Sequence, residues 1–294
     1  MADRSTALSR AIGGEFSLTE TTTTSCSPQP ERLRLSHVSK TFGSGTGATR
    51  ALQEVDVTIR QGEFITLIGP SGCGKSTLFN IVAGLLVPDP GGRMFLNGTE
   101  QAFDHLLGKV AFMPQRDLLL PWRTVLDNAI LAIEIEGKPK REARERARPM
   151  VREFGLGGFE DHYPQQLSGG MRQRVALMRT FLFDRDLMLL DEPFGALDAQ
   201  TRSDMQQLLL QIWDETACTI LFVTHDVEEA VYLADRIFIM SSHPGTIVED
   251  VHVPFDRPRS LELKEKSEFH DLQHYVLGRL KSSPGIGGHV RVSI

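Results

Sequence analysis

Long apolar runs are missing from this chain of 294 residues: none approaches the roughly 18 residues that a membrane-crossing helix needs. Any membrane association is therefore expected to come through a partner. Positive charge is not in excess either. The net charge is -6, so no global basic field recruits nucleic acid. Cysteine is scarce. Cys26, Cys73 and Cys218 have neither metal-ligand spacing nor a disulfide framework, which fits a reducing cytosol. The N-terminus has no apolar signal core, and Asp3, Glu15 and Glu20 argue against a transit peptide. No internal repeat is evident, so one unit is expected and not two fused copies.

What is there is 40% hydrophobic and 24% charged, enough to bury a sizeable core in one to two domains. Residues 1–30 are polar, with a run from Thr21 to Ser25, and are expected to form a disordered arm. Leu33, Leu35 and Val38, then Leu52, Val55, Val57 and Ile59, are spaced as two strands around a Gly43–Gly47 turn. Apolar runs at 64–68, 187–190 and 219–223 read as buried parallel strands, with further strands at 236–240 and 246–253. Helices are expected from Lys75 to about Leu86, from a Thr124 cap to Ile133, and over about 199–215, 226–234 and 258–281. The region from about Asp117 to Phe183 is helical in character. Within it, residues 138–152 carry seven basic residues. They read as a solvated helix face with pairs such as Glu142–Arg146; a nucleic-acid contact would call for interleaved aromatics. Strands alternating with helices indicate a mostly parallel α/β core.

Gly69, Pro70, Ser71, Gly72, Cys73, Gly74, Lys75, Ser76 and Thr77 complete the P-loop pattern between a strand and a helix. The glycines let the backbone wrap phosphates with its N–H groups at a helix N-terminus. Lys75 would hold the β- and γ-phosphates of ATP, Ser76 would ligate Mg2+, and Thr77 would add a phosphate hydrogen bond. Cys73 reads as a small residue tolerated beside phosphate, or as an alkylation handle, because a helix N-terminus lowers a thiol pKa. Asp191 and Glu192 close the strand at 187–190. Asp191 is placed to help hold Mg2+, and Glu192 to act as general base on the attacking water.

With Leu167, Ser168, Gly169 and Gly170 between these two features, the chain resembles the nucleotide-binding subunits of ATP-binding cassette (ABC) transporters. The resemblance spans about residues 32–255. It departs at Met171, where the family often has Gln. A P-loop kinase or GTPase does not explain the Leu167–Gly170 segment or His225. In the family two cassettes sandwich ATP, each lending this segment to the other's P-loop. The resemblance thus implies a homodimer in which Ser168, Gly169 and Gly170 touch ATP held by the partner copy, with Asp198 crossing the interface. It implies that His225, after the strand at 219–223, contacts the γ-phosphate and orients water. Gln115 resembles the glutamine that senses Mg2+ and links the core to the helical region. Phe42 sits where the family places an aromatic against adenine; a core Phe is the rival reading.

Residues 116–128, the segment Ser241–Val248 and the segment Val253–Arg259 look like those of nitrate/sulfonate/taurine importer ATPases. That resemblance implies Pro121 and Trp122 in a groove that receives a transmembrane permease, against the simpler reading of helix-start packing. It also implies a solute-binding protein acting through the permease, a peripheral place on the cytoplasmic face of the membrane, and no nucleic acid. The rivals are a non-transport ABC ATPase acting on nucleic acid or ribosomes, for which no long insertion, zinc spacing or second cassette is visible, and an ATPase of an importer or exporter for another solute. The expected organisation is an arm at 1–30, an ABC ATPase domain at 31–255 with a helical subdomain near 116–183, and a C-terminal helix and tail at 256–294.

Overall fold

The computed structural model describes residues 29–282. The expected arm, apart from Gln29 and Pro30, and the tail after Ser282 lie outside them. The chain divides into two compact units, one built from Pro30–Val110 with Thr219 onward, the other from Ala111–Cys218.

In chain order the first unit begins with β1 Glu31–Phe42, β2 Thr49–Arg60, β3 Phe64–Ile68, α1 Lys75–Val82, β4 Arg93–Leu96 and β5 Thr99–Gln101. The second unit follows: β6 Ala111–Met113, α2 Val125–Ala129, α3 Leu131–Ile135, α4 Lys140–Glu153, α5 Gly169–Leu182, β7 Leu187–Asp191 and α6 Ala199–Thr216. The first unit is completed by β8 Thr219–Thr224, α7 Val227–Leu233, β9 Arg236–Met240, β10 Ile247–His252 and α8 Ser267–Ser282.

In the first unit β3 lies parallel between β8 and β9, with β10 antiparallel on β9. Every residue of β3 and β8 is buried, which is why both read as unbroken apolar runs and not as alternation. A second sheet is antiparallel, in the order β2-β1-β4-β5. In the second unit β6 and β7 pair in parallel, α2 and α4 pack on α5, and Leu126, Ala129, Met150, Val151, Val175 and Met178 are buried. The fold is α/β, with the mostly parallel core, antiparallel region and helices expected.

Several expectations need correction. Helix α1 stops at Val82, before Leu86, because Gly84 takes φ +74 and packs so closely on Leu106 that a Cβ there would lie 2.7 Å from it. Thr124 does cap α2, accepting from the Asp127 N–H at 3.2 Å, but the helix breaks at Ile130. The pair Glu142–Arg146 gives way to Arg146–Asp184 at 3.0 Å, and the i,i+4 pair on α4 is Arg141–Glu145. Ala143, Ala147, Met150 and Val151 form the buried stripe of α4, and Arg146 beside it meets a partner from elsewhere in the unit. The C-terminal helix starts at Ser267, not near 258.

The residues before α8 explain that late start. Arg259 is buried and donates to the carbonyls of Tyr232 (3.0 Å) and Ala234 (2.8 Å) at the end of α7, and to that of Phe255 (3.0 Å). Arg257 donates to Leu233 O and to Asp235. Two guanidinium groups thus satisfy the carbonyls that a helix end leaves unpaired. Arg259→Ala would strand these acceptors, and a stability loss of about 3 kcal/mol is expected in denaturant unfolding. A loss below about 1 kcal/mol would show that water replaces the guanidinium at no cost.

Candidate functional site

In the first unit, β3 runs into the P-loop and the loop into α1. Gly74 takes φ 104 at the N-cap of α1, a conformation that side chains rarely adopt. The loop therefore turns sharply into the start of the helix. Lys75 is buried, its ammonium held over the loop by the carbonyls of Gly69 (2.8 Å) and Pro70 (2.9 Å). Ser71, Gly72 and Ser76 are exposed beside it. Cys73 is only 1% exposed, and burial pushes its thiol pKa up against the opposing pull of Lys75. A buried, protonated thiol is a poor nucleophile, so the alkylation-handle reading is dropped.

Phe42 ends β1 and is 43% exposed, with the Lys40 ammonium 5.7 Å from its ring centroid. It is not a core residue. His225 is exposed after β8. Its backbone is fixed from both sides. The Thr224 hydroxyl donates to Glu229 at 2.7 Å and accepts from the Asp226 N–H, while Asp226 caps α7 by accepting from the N–H groups of Glu228 and Glu229.

In the second unit, the parallel pairing of β6 and β7 brings their C-terminal ends side by side. Gln115 follows one and Asp191-Glu192 closes the other, and Gln115 Nε2 donates to Glu192 Oε2 at 3.1 Å. Asp191 is buried at the strand end. Glu192 takes φ 49, a left-handed conformation that costs a side-chain-bearing residue roughly 1–3 kcal/mol. Gln173 on α5 holds it there: its Nε2 donates to the Glu192 carbonyl at 3.0 Å and its Oε1 accepts from the Ala196 N–H at 2.8 Å. Sequence reasoning passed over Gln173. Its position five residues after Ser168 was visible, but not that α5 would aim it at the loop after β7.

Ser168 is the N-cap of α5, its hydroxyl accepting from the Met171 N–H at 3.2 Å. The positive end of this 14-residue helix thus carries Ser168, Gly169 and Gly170. A Cβ on Gly170 would come within 3.0 Å of Leu197, so that glycine lets the loop before Asp198 pack close. Asp198 caps α6 through the Thr201 N–H at 3.0 Å, which holds its carboxyl below the usual range. Capping is thus a task of Asp198 within its own unit.

Trp122 is 71% exposed, which rules out a core role. With Pro121, Tyr163 and Gln165 it lines a surface concavity of about 460 Å³. Asn128, fully buried, staples the loop that presents it. Its amide donates to the carbonyls of Leu120, Arg123 and Thr124 and accepts from the Leu120 N–H at 2.8 Å. Asn128 is a second residue whose task the sequence did not show.

Among the described residues no helix is long and apolar enough to cross a membrane. No cluster of three or more His, Cys, Asp or Glu side chains there is arranged to hold a metal ion.

The ABC transporter family model matches residues 52–195. An uncharacterized ABC transporter ATP-binding protein of Methanocaldococcus jannaschii is 43% identical over 85% of this chain and 91% of its own. The aliphatic sulfonates import ATP-binding protein SsuB of Bacillus cereus is 40% identical over 89% of this chain and 99% of its own. The taurine import ATP-binding protein TauB of Escherichia coli is 40% identical over 84% and 96%. Among solved structures, the cassette MJ0796, a dimer in a post-hydrolysis state bound to ADP and Pi, is 31% identical, with a TM-score of 0.69 over 76% of this chain and all of that one. A P-loop between strand and helix, a capped Ser-Gly-Gly helix start and full-length relatives at this identity lead to one conclusion: the chain belongs to the ATP-binding proteins of ABC transporters, ATPases that couple hydrolysis to transport.

Proposed function

We propose that this chain powers an importer for a small anion such as a sulfonate, taurine or nitrate, working as a homodimer under a separate permease at the cytoplasmic face of the membrane. The observation that carries the ATPase part is the P-loop itself: a buried Lys75 over a sharply turned loop at the start of α1. The relatives named for sulfonate and taurine import support the solute class.

In this reading backbone N–H groups within residues 71–77 and the Lys75 ammonium bind the phosphates of ATP, and Phe42 stacks on adenine through its exposed ring face. Glu192 takes the proton of the attacking water, and His225 orients it. Ser76, Asp191 and Gln115 supply a hydroxyl, a carboxylate and an amide oxygen. That hard-oxygen set suits Mg2+, which is commonly held by one or two carboxylates together with substrate phosphates. When bound, Mg2+ would neutralise charge on the phosphates. Ser168, Gly169 and Gly170 meet the γ-phosphate held by the other copy.

Pro121 and Trp122 are the permease anchor, and through it the permease engages a solute-binding protein outside the membrane. A rigid, exposed aromatic on a stapled loop is the type of side chain that dominates interface energetics. Trp122→Ala should change the stability of the isolated subunit by no more than about 0.5 kcal/mol. Assembly with the permease should weaken by about thirtyfold, the equivalent of a hot-spot Trp. Melting temperature, permease pull-down and uptake of labelled taurine, sulfonate or nitrate in vesicles provide the check. Normal assembly and uptake would reject the anchor, and uptake of none of the three anions by the intact transporter would reject the solute class.

A further inference from the structure

The segment Ser241–Thr246 has no part in the chemistry so far, yet it lies directly behind the P-loop. Gly245 donates from its N–H to Ala51 O and accepts at its carbonyl from the Gln53 N–H, both at 2.9 Å. It is thereby bridged in parallel to Leu52 of β2. On its other side stands the P-loop. A Cβ built on Gly245 would fall 2.0 Å from the Cys73 carbonyl oxygen, 2.5 Å from Met240 Cε and 3.2 Å from Ala51 O. The first of these is backbone, which cannot swing aside as a side-chain tip does.

We infer that Gly245 is a positioning residue for phosphate binding: its bare Cα is the seat on which the Cys73–Gly74 peptide rests, and so it sets the direction of the Gly74 N–H. The peptide is planar and trans, so its N–H points opposite to its C=O. With the Cys73 carbonyl against Gly245, the Gly74 N–H is turned away from that seat. Rotating this peptide would withdraw a donor from the place where phosphate is expected.

The rest of the loop is seated in the same manner. Cβ atoms on Gly69 and Gly74 would meet Met240 at 2.9 Å and Ala51 O at 2.8 Å. The seat is itself clamped. The Ser241 hydroxyl donates to Pro244 O at 2.9 Å and accepts from the Thr246 N–H at 3.0 Å, while the Ser241 N–H donates to Thr246 O. A buried Ser241 thus holds the turn that carries Gly245.

The inference rests on residues 69–77 being the phosphate site, and the experiment separates the two. Binding of ATP and ADP to the full chain is measured by titration calorimetry, beside the melting temperature without nucleotide. Gly245→Ala is expected to fold and to lose at least about tenfold in affinity for both nucleotides, the equivalent of one charge-assisted hydrogen bond. Gly278→Ala, a helical glycine with open space around its Cα, should bind as wild type does. Lys75→Ala reports on the underlying reading. If it binds ATP normally, residues 69–77 are not the phosphate site. If it has lost affinity while folded Gly245→Ala stays within about twofold of wild type, only the seat is refuted. A lowered melting temperature with unchanged affinity also refutes it, since a purely structural glycine would behave in that manner. Should Gly245→Ala fail to fold, Ser241→Ala carries the test. Loosening the turn should then weaken both nucleotides by about threefold, and unchanged affinity would overturn the inference.

Discussion

Glu192→Gln should bind ATP as wild type does and lose hydrolysis by about 10²–10⁴-fold, the contribution of a positioned general base. The carboxylate lies at the end of β7 with one oxygen 3.1 Å from Gln115 Nε2. An amide of the same shape fills that place but accepts no proton from water. Gln173 grips the Glu192 backbone and not its side chain, so the left-handed turn survives the substitution. The P-loop belongs to the other compact unit and keeps its sequence. Phosphate release beside an ATP titration reads both effects. Hydrolysis near the wild-type rate would remove Glu192 as the base.

Ser168→Arg in the Glu192→Gln background should abolish an ATP-induced dimer. Without turnover, ATP is expected to hold two copies together, each placing the start of α5 on the other's γ-phosphate. A long side chain at Ser168 puts bulk where that phosphate should lie. It also removes a helix cap, at a cost of about 0.5–2 kcal/mol to the subunit. A melting curve registers the lost cap, and size-exclusion chromatography with ATP registers the lost dimer. Affinity of the monomer for ATP should persist, because its own P-loop is untouched. An unchanged dimer in the double variant would contradict a site completed in trans.

The parts of this protein legible in one dimension are those whose physics is local. A P-loop must sit between a strand and a helix, because its glycines and its lysine work only at a helix start, and residues 69–77 do sit between β3 and α1. Buried strands show as apolar runs, so β3, β7 and β8 could be placed within a residue or two. Thr124 caps a helix as expected because a short polar side chain bonds the backbone two or three residues ahead. Short strands such as β4 and β6, three or four residues long, carry no such periodic mark.

What folding alone settles is which groups meet across long separations in sequence. Gln115 and Glu192 share a hydrogen bond across 77 positions because two strands are neighbours in a sheet. Arg146 takes Asp184 over an i,i+4 partner because the buried stripe of α4 turns it toward a loop. Cys73 loses the reactivity that its place at a helix start suggested, since the fold buries it. For Trp122 and Phe42 the sequence offered a packing reading beside a functional one, and to Gly245 it assigned no role. The first two are exposed, and the third stands against a backbone carbonyl with no room for one more carbon. The reason is common to all of them. Propensity, capping and periodicity act over a few residues of chain, whereas burial and hydrogen-bond partners depend on distances in space that the whole fold must first create.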